Sequence, residues 1–110
     1  MTHSYDLNHY QAAIDNANVY GVSKVSALDP LPKLSTTHQN TLYLKREDQQ
    51  PVFSFKCRGA FNKMSLLSPE TLQNGVIAAS AGNHAQGVAL SAQKLGCDAL
   101  IVMPTTSNFK

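Results

Sequence analysis

The chain has 110 residues, a net charge of +2, 43% hydrophobic residues and 15% charged residues, which suits one small globular domain. The nine basic residues are scattered, with no run longer than Lys45-Arg46, so neither a nucleic-acid partner nor an anionic membrane is expected. No apolar stretch reaches membrane-spanning length, the N-terminal Met1-Thr2-His3-Ser4-Tyr5-Asp6 has no basic region leading into an apolar core, and neither Cys57 with Cys97 nor the four histidines make a metal or redox motif, which together predict a cytoplasmic protein with reduced thiols and no metal.

Residues 1–9 are polar and read as a frayed start. Tyr10, Ala13, Ile14 and Ala17 recur with helical spacing and predict an amphipathic helix ending before Gly21. Asp29-Pro30-Leu31-Pro32 reads as an extended crossing, because prolines lack the donor that helix interiors and central strands need. Thr36 to Asn40 reads as a loop and Thr41 to Lys45 as a short strand. The polar run Arg46-Glu47-Asp48-Gln49-Gln50 and Pro51 form a loop delivering the chain to Ser54, the expected N-cap of the next helix. On that helix Cys57, Ala60, Phe61, Met64 and Leu67 share a face, and Ser68-Pro69 starts a further short helix ending at Asn74-Gly75.

The last third has the clearest pattern. Gly75 to Ala79 and Ala99 to Met103 are continuous apolar runs, the mark of buried parallel strands. Between them Ala85, Val88, Ala89, Ala92 and Leu95 share one helical face, with Gly96 as C-cap. Strand, helix, strand in this length is a βαβ unit, so the fold class is α/β.

Two stretches hold residues that can do chemistry. In Ser54-Phe55-Lys56-Cys57-Arg58-Gly59-Ala60 one lysine sits among apolar neighbours, with Arg58 as a second cation nearby. Burial there would favour the neutral amine, a nucleophile that forms a Schiff base with aldehydes. The alternative is a lysine whose stem lies on the core and whose head stays in water. The second stretch, Ser80-Ala81-Gly82-Asn83-His84, lies at the carboxyl end of a strand and the start of a helix. Its backbone N–H groups suit a carboxylate or phosphate, and Gly82 permits close approach. The alternative is a plain strand-to-helix turn capped by Asn83, with His84 at the surface. Neither a dinucleotide fingerprint nor a phosphate loop is present, and spacing alone does not bring the two stretches together.

The run from Lys45 to Ala60, followed by Ser80-Ala81-Gly82-Asn83-His84-Ala85-Gln86-Gly87-Val88-Ala89, closely resembles the biosynthetic threonine dehydratases. These are threonine ammonia-lyases of the pyridoxal-phosphate fold type II family, and the resemblance extends from about Val19 to Pro104. It implies pyridoxal 5'-phosphate as cofactor and deamination of L-threonine to 2-oxobutanoate and ammonia, the opening step of isoleucine biosynthesis. A serine-directed dehydratase or racemase of the same fold is the alternative within the family, and a non-catalytic truncated remnant or interaction fragment the alternative outside it. By resemblance Lys56 is the lysine that holds the cofactor and acts as base at the substrate Cα, and Phe55 lines the cofactor pocket. Asn83 bonds the cofactor's ring hydroxyl oxygen, and Ser80, Gly82, Asn83 and His84 belong to the substrate-carboxylate loop. The family also implies a homo-oligomer.

Two departures accompany the resemblance. Cys57 stands where the family commonly has leucine, and a cysteine is apolar enough to pack there. The sequence also stops at Lys110, before the family's glycine-rich phosphate loop, its pyridine-nitrogen contact and its regulatory domain. Residues 1–110 are therefore expected to be the N-terminal part of a catalytic domain, inactive alone, with strands that expose apolar faces and edges.

Overall fold

The computed structural model describes residues 6–107. Asp6 accepts a hydrogen bond from the His9 N–H at 2.8 Å and caps α1, Leu7–Asp15. The amphipathic pattern does make a helix, but one that buries none of its residues: Leu7 and Ile14 are largely exposed. The prolines in the next segment are accommodated more regularly than their lack of donors suggests. Pro30 ends β1, Leu28–Pro30, which among the described residues has a single partner strand, and Pro32 opens α2, Pro32–Thr37, where its missing N–H costs nothing. Helix α2 also takes in Thr36 and Thr37, expected in a loop; their hydroxyls donate back to Pro32 and Lys33 carbonyls. Strand β2, Tyr43–Lys45, runs antiparallel to β1, with Leu28 opposite Lys45.

A single 3₁₀ turn at Glu47–Gln49 leads to a tight turn in which the Phe53 N–H donates to the Gln50 carbonyl at 2.8 Å. Helix α3, Lys56–Ser65, follows, then α4, Pro69–Gln73, with Ser68 as its cap and Pro69 in its first turn. Strand β3, Val76–Ala79, helix α5, Asn83–Leu95, and strand β4, Ala99–Val102, complete the chain. Strands β3 and β4 are parallel, with Val76 opposite Ala99 and Ala79 opposite Val102, so this is the expected βαβ unit. Gly96 closes α5 at φ 69°, a left-handed cap.

The core lies where α3 crosses α5 over one face of β3–β4. Ala60, Met64, Val88 and Ala92 form its centre, with Val76, Ala78, Leu95, Cys97 and Ile101 packed around them. The α5 face differs from the apolar pattern in one place: Ser91 is fully buried and Ala89 is exposed. Ser91 Oγ donates to the Gly87 carbonyl at 2.7 Å, which removes the cost of burying its hydroxyl.

The strands are buried on one face only. Ile77, Leu100 and Val102 point away from the helices and are 69%, 62% and 49% exposed. The radius of gyration, 17.4 Å, is well above the ~13 Å of a compact domain of this length. Among the described residues no helix is long and apolar enough to cross a membrane.

Candidate functional site

Lys56 is the first residue of α3. The residue before it, Phe55, makes no side-chain cap bond; Ser54, expected to be the cap, lies one position earlier and accepts the Lys56 N–H at 3.2 Å through its hydroxyl. Lys56 and Phe55 are both exposed, and the Lys56 ammonium lies 5.3 Å from the centre of the Phe55 ring. Of the two environments open to Lys56, the apolar enclosure is not formed by the described residues; the buried neighbour is Cys57, fully inaccessible, with its thiol donating to the Ser54 carbonyl at 3.4 Å. Burial pushes the Cys57 thiol pKa up, against the partial opposing effect of Arg58. The chain enters this region through Phe53, held at φ 55°, a left-handed conformation that is strained for a residue with a Cβ.

Arg58 is not a free cation acting on Lys56. Its Nε and Nη2 donate to the two carboxylate oxygens of Glu47 at 2.8 and 2.9 Å, and its guanidinium lies 5.6 Å from the centre of the Tyr20 ring. Glu47 also accepts from Ser26 Oγ at 2.5 Å and from the Gln50 amide. These donors, Arg58 first, pull the Glu47 pKa down to about 2 despite the opposing effect of burial. The Gln50 side chain, 1% exposed, pairs with both backbone groups of Lys24: Oε1 accepts from its N–H at 3.0 Å and Nε2 donates to its carbonyl at 2.8 Å. The polar run read as a connecting loop is therefore a fastening. It ties α3 to residues 23–26, while Arg46, bonded to Asp29 at 2.6 Å and Asp48 at 2.7 Å, ties the same run to β1.

The turn after β3 has a different cap from the expected one. Ser80 Oγ accepts the N–H groups of Gly82 at 3.3 Å and Ala85 at 3.3 Å, and Asn83, the first residue of α5, makes no cap bond at the Gly82 position. Ser80 thus uses two of the N–H groups expected to face an anion, and the first-turn groups at Asn83 and His84 are the ones an incoming anion meets. Asn83 and His84 are exposed. His84 also lines a cleft between α3 and β3 with Gly59, Met64, Val76, Ala78 and Val88; of the six predicted site residues, it alone lines that cleft.

The two stretches meet through Gly87. A Cβ at that position would stand 3.0 Å from the Lys56 carbonyl oxygen and 3.2 Å from the Cys57 nitrogen, so α5 lies directly on the first turn of α3. Gly87 is four residues past Asn83, about 6 Å along the helix. The start of α3, with its lysine, and the start of α5, with its asparagine and small-residue turn, are therefore neighbours. An exposed primary amine and an exposed amide on adjoining helix starts fit the aldehyde and hydroxyl of pyridoxal phosphate. The six glycines are dispersed, so no glycine-rich loop for its phosphate occurs among the described residues.

The chain matches the profile of the pyridoxal-phosphate dependent enzymes over residues 21–109 and belongs to that family. Within it the chain is similar to the biosynthetic threonine dehydratases. It is 58% identical over 98 residues to threonine dehydratase 1 of Solanum lycopersicum, covering 89% of this chain and 16% of the relative. To the biosynthetic L-threonine dehydratase of Escherichia coli it is 52% identical, covering 89% of this chain and 19% of the relative. Among solved structures, the processed threonine deaminase isoform 2 of Solanum lycopersicum superposes with a TM-score of 0.83 at 54% identity, over 93% of this chain and 29% of that one. Maize serine racemase superposes with a TM-score of 0.79 at 30% identity, over 96% of this chain and 32% of that one. The chain thus spans less than a fifth of the length of these two dehydratases.

Proposed function

We propose that this chain supplies the lysine and the substrate-facing turn of a threonine ammonia-lyase, which converts L-threonine to 2-oxobutanoate and ammonia with pyridoxal 5'-phosphate as cofactor. The observation that carries the reading is the Gly87 contact, which places Lys56 at the start of α3 beside the turn at the start of α5. The high identity to biosynthetic threonine dehydratases supports the choice of substrate.

In this reading the cofactor, when bound, supplies the electron sink that lets the substrate Cα lose its proton. Lys56 Nζ would hold the cofactor before the substrate binds and, once the substrate's amine has displaced it, would take that proton as base. Phe55, whose ring already lies beside the Lys56 amine, forms one wall. Asn83 would donate its side-chain amide to the cofactor's ring oxygen. The substrate carboxylate meets the N-terminal end of α5 at Asn83 and His84, where the helix dipole favours negative charge. Ser80 holds this end in shape through Gly82 and Ala85, and Gly82 keeps the approach open. The partner is thus a small amino acid.

Serine is the second substrate to be considered, because maize serine racemase shares the fold of this chain. The test is an assay of the whole protein that carries this chain, with threonine and serine compared. Formation of 2-oxobutanoate from threonine, abolished in Lys56→Ala, is the expected result. Turnover retained in Lys56→Ala would sink the assignment, and racemisation of serine without elimination would move it to the racemases.

A further inference from the structure

We propose that Glu47 and Arg58 are positioning residues for Lys56, their ion pair anchoring the first turn of α3 so that the amine is presented at the start of α5. The inference rests on the reading of Lys56 as the cofactor lysine. Arg58 follows Lys56 by two residues on the same helix, about 200° around its axis. The pair therefore grips the side of the turn away from Lys56 and leaves the amine uncovered.

The grip is two-pronged and largely dry. Arg58 Nε and Nη2 reach both Glu47 oxygens at 2.8 and 2.9 Å, and the two side chains are only 21% and 17% exposed. Such paired donation fixes direction as well as distance. What Glu47 is fastened to is itself held. Ser26 Oγ donates to it, and Arg58 Nη2 and Gln50 Nε2 converge on the Lys24 carbonyl at 3.3 and 2.8 Å. The first turn of α3 needs such an anchor. Its side-chain cap is the 3.2 Å bond from the Lys56 N–H to Ser54 Oγ, one position before the usual place, and the chain arrives through the strained Phe53. On the Gly87 side the turn is held by packing, backbone against backbone at Gly87 with the buried Cys57 and Ala60 beside it. The ion pair holds the opposite side of the turn, and displacement of a reacting group by about 1 Å costs up to roughly a hundredfold in rate.

The test uses the whole protein that carries this chain, freed of cofactor and mixed with pyridoxal phosphate. The rate at which the lysine-bound absorbance band appears is followed, and borohydride reduction with peptide mapping confirms which lysine is labelled. Glu47→Gln and Arg58→Lys are compared with Asp29→Asn, which breaks the separate ion pair of Arg46 on β1. The expected result is a fall of about tenfold or more in the rate at Lys56 for both clamp variants, at temperatures where they are folded, with Asp29→Asn at the wild-type rate. Wild-type rates in the clamp variants, or an equal fall in Asp29→Asn, overturn the inference while leaving the cofactor role of Lys56 standing. A wild-type protein that leaves Lys56 unlabelled overturns that role and the inference with it. Should Glu47→Gln not fold, Arg58→Lys, which keeps the cation and loses the fork, decides alone.

Discussion

Gly87 lies against the Lys56 carbonyl so closely that a single added carbon would stand 3.0 Å from its oxygen. The atoms it would meet are backbone, which cannot swing aside as a side chain can. Gly87→Ala should therefore push α5 off the start of α3. The better helix propensity of alanine, worth ~1 kcal/mol, offsets part of the strain. We expect a net loss of about 1 kcal/mol or more, read as a lower denaturant midpoint, together with weaker cofactor retention. Unchanged stability and retention would mean that the crossing is looser than its geometry.

Ser80 and Asn83 should separate structural from ligand roles at the same turn. Ser80→Ala removes the acceptor of two N–H groups and should cost ~1 kcal/mol of stability. Asn83→Ala leaves that capping intact and should change stability by less than ~0.5 kcal/mol. Its effect should fall on cofactor affinity, roughly five- to tenfold for one hydrogen bond. Thermal melts and cofactor titration of both variants check the division. A destabilised Asn83→Ala with unchanged affinity would return Asn83 to a capping role.

Glu47 makes stability depend on acid. Its folded pKa of about 2 lies below the ordinary 4.5, so the unfolded chain binds its proton more readily. The stabilisation is complete above pH 4.5 and is lost as pH falls towards 2. Glu47→Gln should lower stability near neutrality by about 2 kcal/mol, and the difference from wild type should shrink across that window. Denaturant melts at a series of pH values measure it; a difference independent of pH would contradict the pairing with Arg58.

The two cysteines should differ in reactivity. Cys57 is fully buried with its thiol pKa pushed up, whereas Cys97 is only partly covered. A small alkylating reagent should modify Cys97 in the folded protein and Cys57 only after unfolding. Mass spectrometry of the timed reaction shows which modifies first, and faster loss of Cys57 would mean that the start of α3 opens readily.

What could be read from the sequence was local. The Ser68-Pro69 start, the Gly96 cap and the β3–α5–β4 unit depend on neighbours within a few positions, and each appears where the pattern places it. The resemblance picked out Lys56 and Asn83 together; the adjacency of the helix starts that carry them comes from a glycine contact, to which no spacing rule points. The Glu47–Arg58 clamp looked like a loop because its partners lie 11 residues apart, and Gln50 reaches Lys24 across 26. Its only local trace is a run of long polar side chains. Of the two environments the sequence leaves open for Lys56, the exposed one holds among the described residues, because apolar neighbours in sequence do not enclose a side chain that points off the first turn of a helix. Ser91 and Ala89 exchange their expected environments because a hydroxyl bonded to its own helix is no longer costly to bury.

The central claim is that Lys56 is the cofactor lysine. Borohydride reduction of the whole protein in the presence of pyridoxal phosphate, followed by peptide mass mapping, tests it most directly. A phosphopyridoxyl group on the peptide containing Lys56, absent from Lys56→Ala, is the predicted result. Label on another lysine such as Lys63, or none at all, would contradict it.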